Sequence, residues 1–321
     1  MRASCLSAGR VAALLPNSLT ACSCWRTLFT GALFLAACGP SDEGSLEGIN
    51  DGLVYFDYDH VARQPRGPRP YFSFFTTSEA GLFSLEAGRY APAPDPVNGY
   101  GGDFGGLAGA DEICTLLAQR SNPGDTKLWR AFLSTSGSSG AAPIDAVDRI
   151  GQGPWYDFER YKLADDIEGL MPTSDLEGRP RGAEPFLAAV FSDENGQDLR
   201  RDGVDNHDVL TGSDKAGRLY DDMEGGRIAT CDDWTSKTLR GNPGTAFATG
   251  GQVPVGHSWP RNNAEGRHWI SEHTVNGCEP GVKTTAGTAA PSDDFRVGAA
   301  GGYGGFYCFA LNAIPPEPIT P

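Results

Sequence analysis

The chain has 321 residues, with 41 acidic against 26 basic side chains and a formal net charge of −15. That balance argues against nucleic acid as a partner and against electrostatic docking on anionic membranes. Its 43 glycines and 23 prolines point to a loop-rich protein.

Three arginines and no acids precede the apolar run "TLFTGALFLAACG", which has the length of a signal-peptide core and is short for a bilayer span. The run ends in "LAAC", Leu35 to Cys38, small residues before a cysteine as in the bacterial lipobox. Residues 1–37 therefore read as a lipoprotein signal peptide and Cys38 as the lipidation site. The expected location is exported, as an outer-membrane or cell-surface lipoprotein, with attachment through acyl-chain burial. Residues 38–70 read as a flexible tether, residues 71–312 as one domain, and residues 313–321, with "IPPEP", as a proline-rich tail.

Beyond the leader and Cys38, four cysteines remain: Cys114, Cys231, Cys278 and Cys308. In an oxidising compartment an even set reads as disulfides, and four cysteines allow three pairings. "YFSFFTTS", residues 71–78, is aromatic and predicts an opening strand. "AGADEICTLLAQR" places Ala110, Ile113, Cys114 and Leu117 at i, i+3, i+4 and i+7, a helix with Cys114 facing inward. Asp111 and Glu112 read as first-turn acids favoured by the helix dipole, and "SNPG" as the stop. "LWRAFLS" reads as a buried central strand, and "GYGGFYCFAL" as one terminal strand, Tyr303 to Leu311. Strands, a long helix, many loops and a returning strand give an α+β domain.

The ordered segments "FGGLAGADEIC", "WRAFLSTS", "VLTGSDKAGR", "TCDDWTS" and "GFYCFAL" resemble a bacterial secreted and lipoprotein domain of unknown function, of spirochaete and myxobacterial type. More distantly they resemble the endostatin domain of collagens and the C-type lectin-like fold. The resemblance implies a single domain with long loops and two nested disulfides, Cys114–Cys308 and Cys231–Cys278. It also implies that the long loops, about residues 232–300, carry a contact surface.

Three chemistries follow for weighing. A nucleophile needs an adjacent base; "GHSWP" around Ser258 has Pro260 where the nucleophile elbow has glycine, so no catalytic residue is assigned. The five histidines show no helical zinc spacing: "HWISEH" sets His268 and His273 five apart, and no cluster matches endostatin's N-terminal zinc histidines. Calcium is the candidate ion, through Asp232, Asp233, Asn276 and Glu279, although "GCEPG" has Gly281 where the lectin sugar motif has an amide or acid. Trp155, Trp259 and Trp269 are the candidate ligand-binding aromatics, able to stack on sugars or anchor a partner. The expected function is non-enzymatic binding of a protein, matrix or glycan ligand, with no required cofactor. The alternatives are an exported enzyme, a hydrolase or a lectin-fold oxidoreductase, and a purely structural envelope protein.

Overall fold

The computed structural model describes residues 68–85, 99–137, 140–172, 178–200, 205–220, 229–241, 253–260, 267–282, 294–312 and 314. All of them belong to one unit, Asn50–Pro321. The signal peptide, Cys38, most of the tether and nearly all of the tail lie outside the described residues. No described helix is long and apolar enough to cross a membrane.

The elements in chain order are β1 (Phe74–Thr76), α1 (Glu79–Phe83), α2 (Gly106–Ser121), β2 (Trp129–Ala131), β3 (Trp155–Tyr156), β4 (Lys162–Ala164), α3 (Ile167–Leu170), α4 (Pro185–Ala189), β5 (Asp208–Leu210), β6 (Val253–His257), β7 (His273–Val275), β8 (Gly302–Gly305) and β9 (Tyr307–Ala310). A single helical turn, Cys231–Trp234, lies between β5 and β6. The fold is α+β.

One sheet has the order β1-β9-β2 and is antiparallel throughout. The strand foreseen at "LWRAFLS" is therefore an edge strand, and the last strand takes the centre. Edge position and burial coexist because α2 lies over β2, burying Ala110, Ile113, Cys114, Leu117 and Ala118. The helix begins at Gly106, so Asp111 falls beyond the first turn. Its carboxylate instead pairs with Arg149 at 2.8 Å and accepts the Ala131 N–H at 2.9 Å, tying α2 to β2. Aromatic rings fill the core. Phe309 on β9 meets Phe74 at 5.0 Å, Trp155 at 5.4 Å and Phe132 at 5.8 Å.

The second sheet has the order β7-β6-β5-β8, with β5 and β8 parallel and the other pairs antiparallel. "GYGGFYCFAL" is thus two strands in two sheets, separated at Phe306. The glycine-rich half can lie close to β5, and the aromatic half fills the core between β1 and β2.

The disulfides are Cys114–Cys308 and Cys231–Cys278, one nested within the other, with sequence separations of 194 and 47. In the chain-entropy model, closing such loops stabilises by about 5 and about 4 kcal/mol. The second bridge anchors a strained segment. Cys231, Asp232, Asp233 and Trp234 all have positive φ, 49° to 65°, a left-handed turn that non-glycine residues resist by about 1–2 kcal/mol each. The Thr230 hydroxyl caps it by accepting the Asp233 N–H, and the Trp234 indole donates to the Ser134 carbonyl at 2.7 Å.

Candidate metal centre

Three strands of the second sheet bring His207, Asp208, His257 and His273 together. Asp208 opens β5 and stands directly opposite His257, the last residue of β6. His273 opens β7 opposite Val255, so it lies on the same face as His257, on the diagonal. His207 precedes β5, and its ring meets that of His257 edge-on at 4.1 Å.

Asp208 Oδ1 lies 3.1 Å from His207 Nε2, 3.3 Å from His257 Nε2 and 3.1 Å from His273 Nε2. The edge of a tetrahedron with zinc–ligand bonds of 2.0–2.1 Å is about 3.3–3.4 Å. The oxygen therefore stands from each nitrogen close to where a shared tetrahedral ion would hold it. One ligand atom from each residue lies within 4.8 Å of the others, and among the described residues this is the one such group of three or more His, Cys, Asp or Glu. Side-chain exposure is 0% for His207, 1% for Asp208 and 2% for His257, rising to 20% for His273.

His207 Nε2 and both Asp208 oxygens are buried, and among the described residues the partners that face Asp208 are the imidazole nitrogens of the cluster itself. Such groups cost about 1–3 kcal/mol each when left unsatisfied, more when charged. A bound cation would satisfy them at once. Burial alone would push the Asp208 carboxyl up, but His273 and His207 outweigh it and hold the carboxyl well below the usual range. Burial pulls His257 down to about 4, so its ring is neutral at neutral pH and keeps a lone pair. Burial also pulls His273 down, but Asp208 outweighs it and leaves His273 above the ordinary histidine value.

The surroundings fix the ligands. Asp205 pairs with His207 Nδ1, which leaves Nε2 turned toward the cluster. Gly301 and Gly302 admit this packing. A Cβ at Gly301 would stand 2.8 Å from the Asp205 carboxylate and 2.9 Å from His207 Cε1, and one at Gly302 3.0 Å from Asp208 Cβ. Arg179, buried, donates to the carbonyls of His257 at 2.6 Å and Ser258 at 3.1 Å and stacks on Phe191 at 4.1 Å. It holds the end of β6 that presents His257. Burial brings its guanidinium down to about 10, still charged at neutral pH.

The residues singled out from sequence fall differently. Trp155 and Trp269 are buried, so neither offers a face to a ligand; Trp269 donates its indole N–H to the Leu170 carbonyl at 3.1 Å. Trp155 lies on β3, and Trp269 sits in a loop that folds inward and supplies a core ring. Trp259 is half-buried; its indole donates to Asn206 at 3.2 Å and its ring stands edge-on to His207 at 5.2 Å. It walls the metal cluster instead of standing apart from it. The calcium set does not assemble. Asp233 is buried and accepts from Ser136 and from the Thr230 hydroxyl, Glu279 pairs with Arg240, and Asn276 is buried at the end of β7. Asp232, Asp233 and Glu279 do not converge on a common point among the described residues. Ser258 is buried and its hydroxyl donates to the His207 carbonyl at 3.3 Å.

The meeting of His207, Asp208, His257 and His273 was not foreseen, because the histidines lie far apart along the chain with no helical or short-range spacing; "DGVDNHD", which holds Asp208, reads from sequence only as an acidic loop able to take calcium. The available signal was positional: each histidine borders a β-prone stretch, in "HDVL", "VPVGH" and "HTV". Comparison with known proteins gives no match, either to a family model or to a curated protein.

Proposed function

We propose that this chain is an exported domain that binds one first-row transition metal, zinc foremost, through His207, Asp208, His257 and His273, and that it acts by binding and not by catalysis. The observation that carries the reading is the convergence of three imidazole nitrogens on one buried carboxylate oxygen at 3.1–3.3 Å. Imidazoles suit zinc, copper, iron and nickel, while calcium takes six to eight oxygens. Four protein ligands fill a tetrahedral shell, which is the pattern of a structural or binding site; catalytic zinc keeps a position open. The two disulfides fit an oxidising compartment, in keeping with the leader and with Cys38 as a lipid anchor at the outer membrane or cell surface. An endostatin-like or C-type lectin-like domain carrying a contact surface for a protein, matrix or glycan ligand remains the architecture we propose. In it the metal would brace β5, β6 and β7.

Calorimetric titration of chelator-stripped protein with Zn²⁺ tests the reading. One site per chain is expected, with Asp208→Ala losing at least ~100-fold in affinity, in line with removal of a direct ligand. No uptake, or equal uptake by the variant, would overturn it.

A further inference from the structure

The four ligands differ in their access to solvent. Three are sealed in the protein, whereas His273 is 20% exposed on its side chain and forms part of the wall of a cavity of about 660 Å³. That volume falls within the roughly 300–1,000 Å³ typical of small-molecule sites. Strand β7, which carries His273, is the edge of its sheet and pairs with β6 alone. The His273 ring therefore stands between the sealed cluster, which its Nε2 faces, and this cavity, and among the three ligand-bearing strands it sits on the edge strand.

Resting on the metal centre described above, we propose that the position held by His273 is exchangeable, and that a neutral nitrogen donor, an imidazole, takes it from the cavity. The cavity walls choose the donor. Among the described residues, Asp214 and Glu272 line it together with one lysine, Lys215. A carboxylate or thiolate entering there meets two carboxylates and one ammonium. An alkyl amine is protonated at neutral pH and has no lone pair to give. A neutral imidazole carries the lone pair without the charge and matches the ligand that it replaces. The exchange breaks the bond from His273 to the metal and forms one from the incoming ring nitrogen; no proton or electron changes place. In this arrangement a histidine side chain on another molecule could share the metal with His207, Asp208 and His257, which makes the cavity a metal-dependent recognition site.

Cobalt substitution with imidazole as the probe tests this. Wild-type protein loaded with Co²⁺ is expected to give the intense visible bands of a tetrahedral centre, and millimolar imidazole is expected to shift them without stripping the ion. His273→Ala is expected to bind Co²⁺ at least ~10-fold more weakly, with affinity and tetrahedral bands restored by imidazole. His257→Ala is expected to resist rescue because its position is sealed. His273→Asn serves in place of the alanine variant should that one fail to fold. A tetrahedral wild-type spectrum together with an unrescued His273 variant, or with equal rescue of His257→Ala, would overturn the exchange while leaving the metal centre intact. A wild-type protein that takes up no Co²⁺ would overturn both.

Discussion

Asp205 touches no metal in this arrangement, yet it determines which nitrogen of His207 is presented. By holding Nδ1 it keeps Nε2 on the cluster side, and partners of this kind commonly contribute 10- to 100-fold in metal affinity. Asp205→Ala is expected to weaken zinc binding by about that factor while leaving the metal-free melting temperature within a few degrees of wild type; competition against a chromophoric chelator measures it. Two other buried carboxyls are expected to lower stability as pH rises, against the opposite contribution of His257 and His268, which burial holds at about 4. Burial raises Asp157 to about 7, against hydrogen bonds from Ser192 at 2.8 Å and the Tyr161 N–H at 2.7 Å. Burial, with Asp193 beside it, raises Glu194 to about 7, against donation from the Ser78 N–H and hydroxyl. Each group holds its proton more tightly folded than unfolded. Its stabilisation is therefore full below about pH 4 and is lost as pH rises to about 7, on the order of 3 kcal/mol per group. Denaturant unfolding of metal-free protein at pH 4.5 and 8 checks this. Asp157→Asn and Glu194→Gln are each expected to raise stability at pH 8 relative to pH 4.5 when compared with wild type; a difference between the two pH values that neither variant changes would contradict it.

At the scale of elements, the last strand governs the first sheet. Phe309 lies on the central strand, and its ring touches Phe74, Phe132 and Trp155. Truncation to alanine is expected to cost about 3–5 kcal/mol, read as a lowered denaturant midpoint. A loss below ~1 kcal/mol would show that the core closes without it. The helix α2 was legible because its apolar face repeats within a dozen residues, and β1 because "YFSFFTTS" is continuous and aromatic. Strand order was not legible. Nothing local in "LWRAFLS" tells an edge strand under a helix from a central strand, and nothing in "GYGGFYCFAL" marks Phe306 as the crossing between sheets. The metal centre was hidden for the same reason. His207, His257 and His273 meet only through the β7-β6-β5 pairing, whose partners lie far apart along the chain, and the two glycines that let the cluster pack sit on β8 and its approach, later still. Two of the three tryptophans lie in the core, Trp155 on β3 and Trp269 in an inward-folded loop, and no local pattern tells such rings from surface ones.

At the scale of the whole molecule, two nested bridges, together with the metal centre proposed above, would divide the work of holding long connections together. Cys114–Cys308 joins α2 to β9 in the first sheet. Cys231–Cys278 clamps the left-handed turn to the chain beyond β7. The centre would tie β5, β6 and β7, strands of three, five and three residues. In that division the proposed metal would be a third crosslink, made by ligands instead of sulfurs. X-ray absorption at the zinc edge, on protein loaded with one equivalent of Zn²⁺, bears on this most directly. The expected spectrum shows four nitrogen and oxygen neighbours at about 2.0–2.1 Å with the multiple-scattering pattern of three imidazoles; a shell of six oxygens, or one without imidazole, would contradict the centre and the function built on it.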